Sequence, residues 1–174
     1  MASVIVAGAR TPIGKFGQAF RDLSAVDLGA VAIREALARA RVDPAQVDYV
    51  IMGQVLQAGT GQITARQAAV AAGIPKEVPA ITINKVCLSG MNAIALADQL
   101  IRAGEVELVV AGGMESMSQA PYLVPRARFG ERMGHVELVD SMIHDGLWST
   151  FTRQHMGESS DAVNAELGIT REEQ

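Results

Sequence analysis

The sequence predicts an α/β fold: a layered βαβαβαβ unit around a mostly parallel mixed sheet over residues 1–117, followed by an irregular lobe over 118–174. Three observations carry this. Short apolar runs at 4–7, 48–55, 80–86 and 108–112 alternate with stretches of helical period, the pattern of strands joined by right-handed helical crossovers. Gly or Pro closes nearly every helical stretch. After Met117 the periodicity gives way to Pro121, Pro125 and a set of arginines between Arg126 and Arg132. Hydrophobic content of 49% in 174 residues is enough to bury a core.

Residues 4–7, Val-Ile-Val-Ala, read as a strand buried on both faces. The following Gly8-Ala9-Arg10-Thr11-Pro12-Ile13-Gly14-Lys15 invites a phosphate-loop reading and fails it. Gly8 and Gly14 are one residue too far apart, Phe16 stands where a magnesium-binding hydroxyl belongs, and Pro12 removes an N–H donor. From Ser24 the pattern turns helical. Ser24 with Asp27 forms a capping-box signature, and Val26, Gly29, Ile33, Ala36, Leu37 and Ala40 share a face up to the stop before Pro44. A second strand over 48–55 leads through a Gly-rich connection to a helix from about Thr64 to Ala72, which Thr64 is expected to cap and Gly73 and Pro75 to end.

The central stretch is residues 80–103. Its first half is β-branched and apolar, so a third strand is expected up to Val86; its second half, from Ser89, is a helix apolar almost all round, expected to lie between two apolar layers. Cys87, the only cysteine, sits at the junction. A sulfur near the unpaired N–H groups of a helix N-terminus is favoured as an anion by about 0.3–1 kcal/mol. Ser89 and Gly90 follow, a small residue and a flexible one that allow a sharp turn and leave room for a substrate, as in a nucleophile elbow with Cys in place of Ser. A lone cysteine in an apolar strand is also a common core residue. Spacing alone leaves nucleophile and core thiol both open. Gly104 ends the helix and residues 108–112 form a fourth buried strand.

Charge and cysteine usage narrow the function classes. A net charge of −4 without a Lys/Arg cluster gives no footprint for nucleic acid or a membrane surface. One cysteine cannot form an internal disulfide, and no His/Cys/Asp/Glu grouping has metal-ligand spacing. The first residues lack a basic start and meet Arg10 and Pro12 too soon for a signal peptide, and no apolar run reaches membrane-spanning length, so a cytoplasmic location is expected.

Three separated motifs then point to a family. Asn84-Lys85-Val86-Cys87-Leu88-Ser89-Gly90 resembles the acyl-enzyme motif N-x-x-C-x-S-G of the thiolases, the run from Ala9 to Gly17 resembles their N-terminus, and Ala111-Gly112-Gly113-Met114-Glu115-Ser116-Met117 resembles the strand and turn after the nucleophile helix. The resemblance runs from Ser3 to the last residue and is strongest to the acetyl-CoA acetyltransferase branch. It implies a thiolase-like half domain over 1–117 and the start of a lid lobe over 118–174. It further implies Cys87 as acyl-accepting nucleophile, Asn84, Ser89 and Gly90 as its elbow, and Leu147, His155 and Met156 lining the acyl and pantetheine pocket. A coenzyme A thioester is then the substrate, with no covalently bound cofactor, and the assembly a homodimer or homotetramer.

Where the family carries Asn-Pro before Ala-Arg-Gln, this chain has Ile63-Thr64. The family's activating histidine, second cysteine and enolate-binding Asn and His have no counterpart here; His135 and His144 match none of its base positions. Thr170 to Glu173 reads as a fresh capping box at the chain's end, so the 174 residues are expected to be the N-terminal portion of a longer enzyme and inactive alone. A longer-chain 3-ketoacyl-CoA thiolase, a ketoacyl-synthase-type condensing enzyme and a non-catalytic interaction module with a core thiol remain as alternatives.

Overall fold

The computed structural model describes residues 2–130 and 132–174 and divides into two compact units, Met1–Ala120 and Pro121–Gln174. In the first, α1 (Ala25–Ala40) precedes β1 (Tyr49–Gly53), α2 (Thr64–Ala71), β2 (Ala80–Ile83), α3 (Ser89–Ala103) and β3 (Val109–Gly113). The sheet has the order β2-β1-β3 with both pairings parallel, so β1 is central and its apolar residues serve both faces.

Alternation along β1 sorts the core. Val50 and Met52 point to the side where α1 and α2 pack, joining Ile33, Leu37, Ala65, Ala68 and Ile74 in the larger cluster. Ile51 points to the opposite side and meets Ala93 and Ala97 of α3. The α/β class read from the sequence holds, with three parallel strands in place of four.

Residues 4–7 are the exception: they form no strand, and Val4 and Ile5 are 80% and 82% exposed. Apolar composition gives a segment reason to be covered, but only a ladder partner makes it a strand, and none of β1–β3 pairs with it. It is tied down by side chains instead: Ser3 Oγ donates to Asp98 Oδ1 at 2.6 Å and Arg39 Nη1 to the Gly8 carbonyl at 3.1 Å.

The helix ends follow the local code in α1 and depart from it in α2. Ser24 Oγ accepts the Asp27 N–H at 3.1 Å while Asp27 Oδ2 accepts the Ser24 N–H at 3.0 Å, completing the expected box. Thr64 does not cap α2. The cap position is Ile63, at φ 41°, which makes no side-chain bond. The first-turn N–H of Ala65 donates to Thr82 Oγ1 of β2 at 2.9 Å, and Thr64 Oγ1 lies 3.2 Å from the same oxygen. A cap from a neighbouring strand leaves no sign in the helix's own sequence.

On α3 only the side facing β1 and β3 is covered, while Met91 and Ile94 are 68% and 46% exposed. The sheet supplies one of the two apolar layers that the sequence leads one to expect for α3.

In the second unit β4 (Tyr122–Leu123) pairs antiparallel with β5 (Val139–Asp140), and Ser141 Oγ donates to the Pro121 carbonyl at 2.6 Å. A π-helical turn over Met142–Leu147 leads to β6 (Trp148–Ser149), antiparallel to β7 (Gln154–His155), and then to α4 (Met156–Leu167), closed by Gly168 in the left-handed conformation. No described helix is long and apolar enough to cross a membrane.

Candidate active site

The strand before the cysteine ends sooner than its composition suggests. β2 stops at Ile83, and the chain turns through Asn84, Lys85 and Val86, the last at φ 48°. A β-branched residue in the left-handed region costs about 1–3 kcal/mol and persists only where its surroundings over-determine it. Here they do. Asn84 Oδ1 accepts the Val86 N–H at 2.9 Å, Ser89 Oγ accepts the Lys85 N–H at 2.8 Å and donates to the Val86 carbonyl at 2.6 Å, and the Leu88 and Ser89 N–H groups close back on the Lys85 and Val86 carbonyls, both at 3.1 Å. At about 0.5–1.5 kcal/mol net for each bond, these offset the strain.

Cys87 therefore sits one residue beyond the strained position and two before α3, with its side chain exposed. Cys87 is not part of the cluster beneath α3, which is built from Ile51, Ala93 and Ala97.

Gly90 serves the elbow differently from its expected role. The turn's positive φ belongs to Val86, and Gly90 lies inside α3. What it lacks is a Cβ: its Cα would stand 3.2 Å from a Cβ on Gly113, and a Cβ on Gly53 would stand 2.5 Å from Ser89 Cβ and 2.7 Å from Gly90 N. Three glycines from β1, α3 and β3 bring the helix start down onto the C-terminal edge of the sheet, where open parallel sheets place their sites. The sequence motif contains Gly113 but does not show its close approach to Gly90, nor that of Gly53 to Ser89, because close approach is a tertiary property.

A carboxylate completes this edge. Glu115 follows β3 and is half-buried; the Val55 N–H donates to its Oε2 at 2.8 Å and the Leu56 N–H to Oε1 at 3.3 Å. Burial pushes its carboxyl above the ordinary range, against the backbone N–H groups of Val55, Leu56 and Ser116, which pull it down. The segment it holds is also joined to the elbow, since Asn84 Nδ2 donates to the Val55 carbonyl at 3.4 Å.

Residues 3–174 match the family model described as "Thiolase, N-terminal domain". This chain belongs to the thiolase family. It is 59% identical over 171 residues to a probable acetyl-CoA acetyltransferase of Mycolicibacterium smegmatis and 57% identical over 171 residues to an acetyl-CoA acetyltransferase of Cupriavidus necator; each alignment covers 98% of this chain and 44% of the relative. It also superposes on Acat5 thiolase from Ascaris suum, solved in complex with coenzyme A, with a TM-score of 0.91 at 44% identity over 97% of this chain and 44% of that one. The thiolase chain thus spans less than half the length of these relatives.

The expected pocket residues of this thiolase chain lie in the second unit. Leu147 ends the π-helical turn, partly buried, and His155 lies opposite Trp148 in the β6–β7 pair. His155 also caps α4: its Nδ1 accepts the Gly157 N–H at 3.2 Å while Glu158 Oε2 accepts the His155 N–H at 3.1 Å. With Nδ1 an acceptor, the proton of the neutral ring is on Nε2. Met156 opens α4 and is exposed. The structure thus groups Asn84, Cys87, Ser89 and Gly90 on one elbow, and Leu147, His155 and Met156 around the β6–β7 pair and the start of α4.

Proposed function

We propose that this chain is the nucleophile-bearing portion of an acetyl-CoA C-acetyltransferase. The observation that carries the reading is Cys87, exposed on a strained, hydrogen-bonded elbow at the start of α3. In the first half-reaction Cys87 Sγ attacks the thioester carbonyl of acetyl-CoA: the Sγ–C bond forms, the C–S bond to coenzyme A breaks, and the thiol's proton passes to the departing thiolate. In this reading the backbone N–H of Cys87 helps hold the oxyanion. The acyl-enzyme is itself a thioester, nearly isoenergetic with the substrate, so transfer runs in both directions. In the second half-reaction the carbanion of another acetyl-CoA takes the acetyl group, giving acetoacetyl-CoA in a reversible Claisen condensation.

That second step needs a thiol acid–base beside the nucleophile and donors for the enolate oxygen. The single cysteine cannot fill both thiol roles, and no described histidine is in the first unit. Removing such partners costs several orders of magnitude. The 174 residues alone are therefore inactive in condensation, and the complete reaction uses the remaining length that the relatives possess. Leu147, His155 and Met156 receive the acyl and pantetheine groups in this reading. The assembly is a homodimer or homotetramer, which the position of β2 at the sheet edge supports. Similarity to a probable acetyl-CoA acyltransferase of Staphylococcus aureus, 51% identical over 175 residues, keeps a longer acyl chain as the second reading.

Intact-mass measurement during incubation with acetyl-CoA tests the assignment, with Cys87→Ala as control. A slow gain of one acetyl group, absent from the variant, is expected. An acetyl group gained equally by Cys87→Ala removes Cys87 as nucleophile. Rapid stoichiometric acetylation of the 174-residue chain shows that no outside base is required.

A further inference from the structure

The C-terminal edge of the sheet contains a half-buried carboxylate whose recorded contacts are all backbone N–H groups. No ion pair involving Glu115 is found among the described residues, so a cationic partner does not explain its burial. Placing a charge in a half-covered site is costly unless it is hydrogen-bonded, and each oxygen of Glu115 accepts from the chain just after β1. That chain is ordered from several directions: Gln54 N–H donates to the Ile83 carbonyl at 3.0 Å, Gln54 Nε2 to the Leu56 carbonyl at 2.9 Å, and Met114 N–H to the Gly53 carbonyl at 2.9 Å. From Val55 the path leads to Asn84, whose Nδ2 donates to the Val55 carbonyl and whose Oδ1 accepts the N–H of the strained Val86.

We propose that Glu115 is a positioning residue for the nucleophile: its carboxylate fixes residues 55–56, these hold Asn84, and Asn84 holds Val86 in the left-handed conformation that presents Cys87. The proposal rests on the acetyltransferase reading for its purpose, since an elbow must be held only if its thiol reacts in a set direction. Glu115 does not touch the sulfur and acts through Asn84. Gln in its place keeps the volume but offers one acceptor oxygen where two N–H donors converge.

Two measurements on the 174-residue chain test this without any acetyl transfer, so failure of the relay and failure of the acetyltransferase reading are distinguishable. The first is the rate constant for alkylation of Cys87 by iodoacetamide in the parent chain, Glu115→Gln, Asn84→Asp and the double variant. Asn84→Asp keeps an acceptor for Val86 and loses the donor to Val55. Each single change is expected to alter the rate by about threefold or more, and the double variant to match the larger single effect, because groups in one network do not act additively. Effects that multiply, or a Glu115→Gln rate within a factor of about 1.5 of the parent, overturn the proposal.

The second measurement needs no substitution. In an NMR pH titration, the amide resonances of Val55, Leu56 and Val86 are expected to move with the same midpoint as the Glu115 side-chain carboxyl carbon. A Val86 amide that stays still while Val55 and Leu56 titrate shows that the relay stops at residue 56, and the proposal fails even if Glu115→Gln does not fold. A purely stabilising role for Glu115 would leave the Val86 amide unmoved in the folded chain.

Discussion

Ser89→Ala isolates what holds the elbow, because it keeps the Cβ that faces Gly53 and removes only the hydroxyl. That hydroxyl accepts from Lys85 N–H at 2.8 Å and donates to the Val86 carbonyl at 2.6 Å, on a residue buried within α3. Two bonds at about 0.5–1.5 kcal/mol each set the range at about 1–3 kcal/mol. Both sites favour the lower half. The Val86 carbonyl keeps the Ser89 N–H at 3.1 Å, and Lys85 is exposed enough for water to take its N–H. The expected loss is about 1–1.5 kcal/mol, read as a lower urea midpoint with an unchanged denaturant slope. Cys87 alkylation should shift in the same variant, since Val86 is released to a more common backbone conformation. A loss below about 0.3 kcal/mol would refute the view that side-chain bonds offset the strain at Val86.

Three further perturbations test the surrounding structure. Gly53→Ala forces a Cβ to within 2.5–2.7 Å of Ser89 and Gly90 backbone and Cβ atoms; a loss of about 1–3 kcal/mol in urea unfolding is expected, and a neutral result would mean that α3 does not rest on the sheet as described. Thr82→Val removes the acceptor for Ala65 N–H and should cost about 0.5–2 kcal/mol by the same measurement, with Thr82→Ser restoring most of it. The Ser24 hydroxyl and N–H hold the Asp27 carboxyl below its ordinary range, so its contribution is present above the unfolded-state value and is lost as pH falls through the lower folded-state value. The stability difference between the parent and Asp27→Asn should therefore be constant near neutrality and shrink below about pH 4, and a difference that grows on acidification would contradict the capping role.

Local chemistry was readable in the sequence and tertiary chemistry was not. The Ser24–Asp27 box, the Gly104 stop and the α/β alternation depend on residues a few positions apart, so the chain displays them directly. The motif around Cys87 was legible because its residues are neighbours in the chain; that Cys87 stands outside the cluster beneath α3 was not, because composition alone suits a core thiol equally well. Residues 4–7 have the composition of a buried strand, but a ladder is a relation between two segments. Val86 would be chosen last for a left-handed position on propensity; hydrogen bonds with the side chains of Asn84 and Ser89 override that preference. Gly53, Gly113 and Glu115 matter through what stands opposite them in space, on segments distant in the chain.

The Thr82 cap also makes α2 depend on a strand for its own completion. An eight-residue helix is too short to persist by itself in water, and this one enters through Ile63 with no side chain of its own at the cap. Its first turn is completed by a hydroxyl seventeen residues ahead, on a strand that pairs with β1. The helix therefore cannot seed the folding of this region; it matures with the β1–β2 pairing and is lost with it. Closing so short a loop costs little entropy, so strand and helix should form and dissolve as a single cooperative step, and α2 amides should exchange with solvent at the same free energy as those of β2.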